Sequence, residues 1–322
     1  MIRRLTLLLP ILGLLAIPSA ASAATNVRVG IGDQSPRMFD DANWKALGLK
    51  TTRYFIEWNA IDQAGELADA DEFIAAAGAA KGVKVLMHIS TDDINSNPRR
   101  PLPTVAQYKA KVGALVKRYK PRGVSEWGVW NEANHKSQPT SKNPKRAAQF
   151  YKAFKGMCSG CKIVALDVLD QAGVEKYIAR WLKAAGSAGR KAKVIGIHNY
   201  SEVNRKLKEK RSAKSLRKYP GTARIIAAVR KKNKVAKIWL TETGGLASFG
   251  GAFPCSRSRQ SSTTKFMFTL IKRYDRNIER LYSYNWFGAG CAKGFDGGLV
   301  EANGTPRPAL AAFEKGLKNA KK

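Results

Sequence analysis

Two glutamates of this sequence each follow an apolar run. Glu132 comes directly after Trp130 and Asn131 in the stretch VSEWGVWNEANH, and Glu242 follows the apolar residues of IWLTETGG. A carboxylate beside a buried strand is costly to desolvate unless it is paired or functional. Two such groups that meet at one site could hydrolyse a glycosidic bond, which needs one carboxyl as acid and base and another as nucleophile. The alternative is that both are exposed loop glutamates.

These distant carboxylates need a framework that brings them together, and the apolar pattern indicates one. Short β-branched or apolar runs predict eight strands, at residues 27–32, 51–56, 83–89, 124–130, 162–168, 193–198, 237–241 and 280–286. Amphipathic patterns predict helices at residues 69–80, 104–119, 144–154, 174–185, 222–232, 261–274 and 308–317. Strands that alternate with helices pair in parallel through right-handed crossovers.

Eight such units in about 300 residues predict a (β/α)8 TIM barrel, an α/β fold whose catalytic groups lie at the carboxyl ends of the strands. Glu132 then follows the fourth strand and Glu242 the seventh, and both reach one rim. The alternative fold is a doubly wound open sheet. It is disfavoured because the first strand lacks a glycine-rich phosphate loop: VGIGDQSPR has only two glycines, and Pro36 interrupts the segment after them.

With the glutamates in this order, the sequence resembles clan A of the glycoside hydrolases, in particular the branch with family 39 xylosidases and cellulase-like barrels. The resemblance spans most of the chain and rests on WNEANH, TETG, RYFIEWNAIDQAG, GVKVLMHIS, IHNY, YSYNWFG and GLVEANGTPRPALAAF. It implies a retaining glycosidase that cleaves O-glycosidic bonds of an oligo- or polysaccharide, with Glu132 as acid and base and Glu242 as nucleophile. The alternative function is a barrel that binds cell-envelope polysaccharide without cleaving it.

Two polar residues, one within the second predicted strand and one just after the sixth, are expected to support the nucleophile. Arg53 and Tyr200 should donate hydrogen bonds to Glu242 and keep it ionised for attack. Asn131 should bind a sugar hydroxyl beside the cleaved bond. A structural ion pair for Arg53, a rim position for Tyr200 and a turn role for Asn131 are the alternatives. The acid role of Glu132 requires a raised pKa, so the donors are expected beside the other carboxylate.

Aromatic and histidine side chains complete the predicted substrate site. Trp286 is the expected stacking platform for a sugar ring, and packing in the core is its alternative. His88 and His198 are expected to touch sugar or the carboxylates, unless they are satisfied core histidines. The sequence departs from many relatives at Ala133, where they have proline, and at Gly245, where they have an aromatic residue. These departures bear on the sugar that is bound.

The first 23 residues predict an export signal. Two arginines precede an apolar run over residues 5–17, and the small residues of PSAASA follow, which predicts cleavage after Ala23. The run is shorter than the about 20 residues that span a bilayer, which disfavours an uncleaved anchor. Residues 24–322 show no linker or repeat, so we expect a secreted, monomeric protein with one barrel domain.

The chain is strongly cationic, with 57 Lys and Arg against 24 Asp and Glu and a formal net charge of +33. Such a field favours anionic partners, which for an exported protein are acidic polysaccharides or an anionic cell envelope to which it would adsorb. Specific nucleic-acid binding is not expected, because the sequence has no recognisable zinc-finger, homeodomain, RRM or KH signature.

A basic segment, NRKLKEKRSAKSLRKY at residues 204–219, follows the sixth predicted strand. Its cations are Arg205, Lys206, Lys208, Lys210, Arg211, Lys214, Arg217 and Lys218, and Glu209 is its one acid. By barrel geometry this loop lies on the catalytic face. It either attracts an anionic substrate or anchors the enzyme to an anionic envelope, or it is an ordinary solvated basic surface.

Four cysteines are expected to pair in an oxidising compartment. Of the three connectivities we expect Cys255–Cys291, in the loops after neighbouring strands, and Cys158–Cys161, three residues apart. A redox function for the Cys158–Cys161 motif is the alternative, disfavoured because the motif lies between a helix and a strand, away from the catalytic face. With three histidines and oxidised cysteines, we expect no metal site, and the reaction needs no cofactor.

Overall fold

The structure is a computed structural model that describes residues 25–80, 82–91, 102–208, 210–291 and 294–321. Ten strands form the framework of this part of the chain. The strands are β1 (Arg28–Gly32), β2 (Thr51–Glu57), β3 (Lys84–Ser90), β4 (Glu126–Gly128), β5 (Lys162–Leu169), β6 (Val194–His198), β7 (Lys237–Thr243), β8 (Ser248–Phe249), β9 (Ile278–Tyr284) and β10 (Phe295–Asp296). The predicted signal peptide lies outside the described residues.

Eight of these strands close into a parallel barrel in the order β1, β2, β3, β4, β5, β6, β7, β9. Closure comes from β9, which pairs with β1 in a register that runs from Arg28 opposite Arg280 to Gly32 opposite Tyr284. The predicted (β/α)8 barrel is therefore confirmed, and the open doubly wound sheet is wrong. All eight strands run the same way, so their carboxyl ends share one rim, the mouth of the barrel.

Helices separate the barrel strands and close the chain. They are α1 (Ala42–Leu47), α2 (Ala64–Ala79), α3 (Val105–Tyr119), α4 (Pro144–Met157), α5 (Val174–Ala185), α6 (Ser187–Arg190), α7 (Tyr200–Asn204), α8 (Ala213–Lys218), α9 (Gly221–Arg230), α10 (Arg257–Arg273) and α11 (Pro308–Lys321). Capping determines where several begin: Thr104 and Gln107 form a reciprocal capping box at α3. Within the described ranges, no helix is both long and apolar enough to cross a membrane.

The core has two layers. The larger one packs the helices against the outside of the barrel. Inside, inward-facing residues from five strands form a small apolar plug: Leu86, Val164, Val194, Trp239 and Tyr282. Below the plug, Arg280 makes a bidentate ion pair with Glu126, with Nη2 2.7 Å from Oε1, and its guanidinium lies 4.1 Å from the Trp239 ring centroid. The interior is therefore filled.

A small second sheet lies beyond the barrel. Strands β8 and β10 pair antiparallel, with Phe249 opposite Phe295. The disulfide Cys255–Cys291 joins the loops that carry them, and a second disulfide links Cys158 to Cys161. Both predicted disulfides are confirmed. The small sheet itself was not predicted from the sequence, because two-residue strands carry no periodic signal.

Candidate functional site at the mouth of the barrel

Glu132 lies in a tight turn beyond β4. The strand ends at Gly128, earlier than predicted, and the backbone of Glu132 adopts a positive φ of 42°. Asp167 at the end of β5 holds this turn, because its Oδ1 accepts from the Glu132 amide at 3.2 Å and its carbonyl accepts from the Ala133 amide at 2.9 Å. Proline at residue 133 could not make the second bond, which gives a structural reason for alanine here.

Glu242 lies near the end of β7 and accepts two hydrogen bonds. Arg53 Nη1 donates to Oε2 at 2.7 Å, and Tyr200 Oη donates to Oε1 at 3.0 Å. Arg53 is fully buried and its Nη2 also donates to Asn131 Oδ1 at 2.6 Å. The structure thus places both predicted donors on Glu242, and it links them to the residue before Glu132.

A buried imidazole connects the two glutamates. His198 Nδ1 lies 2.9 Å from Glu132 Oε1 and 3.7 Å from Glu242 Oε2. Its Nε2 lies 3.1 Å from Asp167 Oδ1, an ion-pair contact rather than an aligned hydrogen bond. Because both distances start from the same nitrogen, the separation between Glu132 Oε1 and Glu242 Oε2 cannot exceed their sum. This upper limit lies at the short end of the range of about 6.5–9.5 Å that is typical of the two carboxyl groups in inverting sites.

Charges around His198 set the protonation of the cluster. Burial would lower the pKa of His198, but the surrounding carboxylates of Asp167, Glu242 and Glu132 raise it above its ordinary value. Burial would raise the pKa of Glu132 and of Asp167, but His198 and neighbouring cations lower both. Burial lowers the pKa of His88 to about 3, so this imidazole is neutral and its Nδ1 accepts from Arg53 Nε at 3.3 Å.

The raised pKa expected of Glu132 is therefore wrong for the free site. The physical reason is the imidazolium of His198, which favours the ionised carboxylate more than burial opposes it. These directions favour a protonated His198 and an ionised Glu132 in the free site. The expectation of a raised pKa came from the acid role of Glu132 and did not account for this partner.

Asp167 is the main site residue that the sequence argument missed. It is fully buried, receives a hydrogen bond from Thr241 Oγ1 and anchors both His198 and the Glu132 turn. Two inward-facing glycines make room for this network: a Cβ on Gly196 would meet Asp167 Oδ2 at 2.2 Å, and one on Gly128 would meet the His88 ring at 2.1 Å. Glycines inside predicted strands were the available signal.

Two predicted substrate contacts are corrected. Trp286 is fully buried, because β9 ends at Tyr284 and Asp33 then binds the amides of Trp286 and Phe287 at 2.8 and 3.1 Å, which turns the indole into the core. Tyr284 is the partly exposed aromatic at this strand end. His88 is also fully buried and touches Arg53, so it supports the site without reaching a substrate.

The remaining side chains differ in how far they open to the mouth. Glu132 and Glu242 keep 15% and 12% of their side-chain surface exposed, whereas Arg53 and His198 are enclosed. Tyr200 and Asn131 lie at the edge of the opening and are mostly buried. The arrangement thus presents two partly open carboxylates above buried charged side chains. Within the described residues, no group of three or more His, Cys, Asp or Glu side chains could hold a metal ion.

The loop that carries Tyr200 is itself fixed by polar contacts. Asp170 accepts from the amides of Ser201 and Glu202 at 3.1 and 2.8 Å, and burial raises the pKa of this carboxyl. Asn204 donates to the carbonyls of Tyr200 and Gly244, which ties the loop to the strand end that bears the nucleophile candidate. Gly245 leaves no room for an aromatic side chain, since a Cβ would lie 2.3 Å from Gln260 O.

Comparison with known proteins agrees with this geometry. The chain superposes on a family 39 glycoside hydrolase from Bacteroides cellulosilyticus WH2 with a TM-score of 0.63 at 16% identity, covering 93% of this chain and 64% of that one. A psychrophilic family 10 endo-β-1,4-xylanase gives 0.59 at 17% identity, covering 89% and 96%. Native xylanase 10B from Thermotoga maritima gives 0.60 at 14%, covering 91% and 95%. No curated protein matches the sequence.

The barrel and the match to a family model define a glycoside hydrolase. The family model described as glycosyl hydrolase catalytic core matches residues 106–313, more than half of the chain. The chain belongs to this family. The matched region holds Glu132, Asp167, His198 and Glu242.

Proposed function

We propose that this protein is a secreted, retaining glycosidase that acts on an oligo- or polysaccharide, with Glu242 as nucleophile and Glu132 as general acid and base. One observation carries the proposal: Arg53 and Tyr200 both donate to Glu242, while Glu132 Oε1 lies 2.9 Å from His198 Nδ1. Donors that stabilise the ionised form suit a nucleophile, and a titratable imidazole at hydrogen-bond distance can supply the proton that an acid needs.

In the first step, Glu242 attacks the anomeric carbon and its negative charge is consumed as the ester forms. Glu132 takes the proton of His198 Nδ1 along their hydrogen bond and gives it to the leaving oxygen, which leaves Glu132 ionised and His198 neutral. The loss of charge on Glu242 also weakens the hold of His198 on its proton, because Glu242 is one of the carboxylates that raise its pKa. Proton release is thereby tied to formation of the glycosyl-enzyme.

In the second step, ionised Glu132 takes a proton from water, and the water oxygen attacks the anomeric carbon while the bond to Glu242 breaks. Two inversions give net retention. Arg53 and Tyr200 then receive the restored carboxylate. Asn131 Oδ1 is occupied by Arg53, so its Nδ2 amino group is the donor left for a sugar hydroxyl.

Secretion is part of the proposal. Two disulfides suit an oxidising compartment, and the first 23 residues have the order of charge, apolar run and small residues of a signal peptide. Mass spectrometry of protein exported by the native host would give Ala24 as the first residue. An intact leader on cell-associated protein would overturn this part.

Turnover and stereochemistry test the enzyme. The purified protein is incubated with aryl glycosides and polysaccharides, xylan first because two of the structural neighbours are xylanases. We expect NMR to show a product that keeps its anomeric configuration. In Glu132→Ala, azide should yield a glycosyl azide of retained configuration from an aryl glycoside with a good leaving group. An inverted product would overturn the mechanism, and absence of turnover on the whole panel would favour the polysaccharide-binding alternative.

A further inference from the structure

An exposed aromatic ring lies beside the mouth of the barrel. Phe249 on β8 has 49% of its surface exposed, and among the described residues only Val235 is a comparably exposed large apolar residue. Single exposed apolar residues are ordinary on protein surfaces. Phe249, however, continues a row of aromatic rings that leads to the catalytic carboxylates.

The row runs from the rim to Glu242. The Phe249 ring centroid lies 5.9 Å from that of Phe295 on β10, and Phe295 lies 5.3 Å from Tyr200 and 5.8 Å from Tyr284. Tyr200 is the residue whose hydroxyl donates to Glu242. Exposure falls along this path, from the half-exposed Phe249 through the partly buried Phe295 to the nearly buried Tyr200.

The backbone around Phe249 is held by several cross-links. Phe249 exchanges two backbone hydrogen bonds with Phe253, at 2.8 and 3.2 Å, and pairs with Phe295 across the small sheet. The disulfide Cys255–Cys291 links the two loops. Asp296, next to Phe295, accepts from Arg307 at 2.6 and 3.0 Å. Little conformational entropy is therefore lost when a ligand packs on the ring.

Two arginines contact one side of the hairpin formed by residues 249–253. The guanidinium of Arg205 lies 5.0 Å from the Phe253 ring centroid and 4.6 Å from that of Tyr219, and Arg259 lies 5.6 Å from Phe253. These contacts fix the hairpin against the basic segment. The ring of Phe253 is occupied by them, which leaves Phe249 as the open aromatic face of the hairpin.

We infer that Phe249 is the platform of an additional sugar subsite, so that the substrate extends past the sugar unit that reacts. The inference rests on the proposed function and deepens it. A sugar ring has an apolar face that packs on an aromatic ring, and a chain bound at the two carboxylates would meet Phe249 along the aromatic row. The occupant is thus another unit of the same glycan chain, and the enzyme prefers oligomers to aryl monosaccharides.

Chain-length dependence tests the subsite. The probes are the aryl monosaccharide glycoside cleaved fastest in the panel and oligomers of that sugar with two to six units. We expect Phe249→Ala to lower kcat/KM for the longest oligomers by about tenfold and to leave the aryl glycoside within about twofold. Phe249→Trp should retain the preference for oligomers. Val235→Ala, which removes a similarly exposed apolar side chain before β7 at the opposite end of the barrel, is the matched control.

An equal loss on both kinds of substrate, or no loss on oligomers, would overturn the subsite while leaving the glycosidase assignment intact. Binding gives a readout that does not need turnover. In native gels that contain each polysaccharide of the panel, wild type should be retarded and Phe249→Ala should migrate faster. Equal mobility of the two proteins in every gel would overturn the subsite even if no substrate were cleaved. Thermal unfolding of each variant identifies a loss caused by misfolding.

Discussion

The barrel holds two buried ionic clusters whose construction differs. In the lower cluster, Arg280 donates through both Nη atoms to Glu126, Tyr282 Oη lies 3.0 Å from Nη1, and both charged groups are enclosed. In the cluster at the mouth, Arg53 and His198 face three carboxylates, of which Glu132 and Glu242 keep open surface. In the lower pair the carboxylate accepts from both Nη atoms of Arg280 and is enclosed, whereas the upper cluster keeps carboxylate oxygens open to the mouth. An enclosed ion pair of the first kind has a structural role, whereas carboxylates that stay partly open can take part in chemistry.

The largest effect expected from this comparison is the loss of turnover in Glu242→Gln. The amide cannot form the covalent ester, so kcat/KM should fall by about 10⁴-fold or more. The free energy of unfolding should fall only modestly, because the side-chain amide oxygen of the variant can still accept from Arg53 Nη1 although the ion pair is lost. Rates on an aryl glycoside and denaturant unfolding measure the two quantities. Appreciable residual activity at this position would remove the distinction between the clusters.

The lower cluster should respond in the opposite way. Arg280→Met strands the buried Glu126 carboxylate and should destabilise the fold by about 3–5 kcal/mol, while the folded fraction keeps its specific activity. Denaturant titration and activity per folded molecule provide the measurements. The control is Arg280→Met combined with Glu126→Leu, which replaces the whole pair and should recover most of the stability. A double variant as unstable as the single one would show that the pair itself stabilises the barrel.

The cluster at the mouth should also make the free energy of unfolding depend on pH, which is a smaller effect. The raised pKa of His198 gives stability that is complete below its unfolded value of about 6.5 and is lost as pH rises through the folded value. The lowered pKa values of Glu132 and Asp167 give stability that is present above about 4 and is lost as pH falls. The stability difference between wild type and His198→Gln should therefore be largest between about pH 4.5 and 6.5.

Unfolding in denaturant at pH 5.5, 7.5 and 9 measures this difference, which should shrink as pH rises. His135 offers a matched control, since its Nδ1 lies 3.6 Å from the other oxygen of Glu132 but the ring is partly exposed. Unfolding of His135→Gln at the same three pH values shows what loss of any imidazole beside Glu132 does. A difference for His198→Gln that is constant with pH would mean that its imidazole carries no charge in the fold.

The smallest expected effect belongs to the outer rim, in the basic segment. Lys206, Lys208 and Lys210 are exposed, and Arg211 is best kept because its guanidinium binds the carbonyls of Tyr219 and Pro220. Replacing the three lysines by glutamine should weaken binding of an acidic polysaccharide severalfold at low salt and leave it unchanged at 0.5 M salt, roughly, where screening is strong. Sedimentation with the polymer measures the binding.

The control for the rim is an equal charge change at the opposite end of the barrel. Lys231, Lys232 and Lys234 lie exposed before β7, and their replacement by glutamine should leave polymer binding closer to wild type. Equal weakening in both triple variants would assign the effect to net charge, and the segment would then be an ordinary solvated surface.

Much of this architecture could be predicted from the sequence, because strand period and helix period differ and each barrel strand carries its own apolar run. All eight barrel strands followed from that order, whereas the expectation that Arg53 and Tyr200 lie beside Glu242 came from the resemblance to clan A. Asp167 did not, since an acid inside the run ALDVLD resembles part of an ordinary strand. Its role depends on space left by Gly196 on the neighbouring strand; the glycine is visible in the sequence, but the residue that fills the space is not.

The aromatic at the end of β9 was misassigned for a similar reason. Trp286 is the larger ring and comes last in the apolar run, but Asp33, over 250 positions away, binds the amides beyond Tyr284 and turns the chain inward. The pKa of Glu132 depends in the same way on His198, which is distant in sequence and adjacent in space. Long-range partners of this kind require coordinates.

At position 132 the backbone and the proposed chemistry favour different residues: the positive φ favours glycine, whereas the reaction needs the carboxylate of glutamate. A residue with a Cβ pays about 1 kcal/mol to adopt this conformation, whereas glycine adopts it freely. Glycine at position 132 should therefore relax the turn while it removes the carboxylate. Variants selected only for heat resistance would drift toward glycine here and lose turnover, so a stability screen of this enzyme has to hold residue 132 constant.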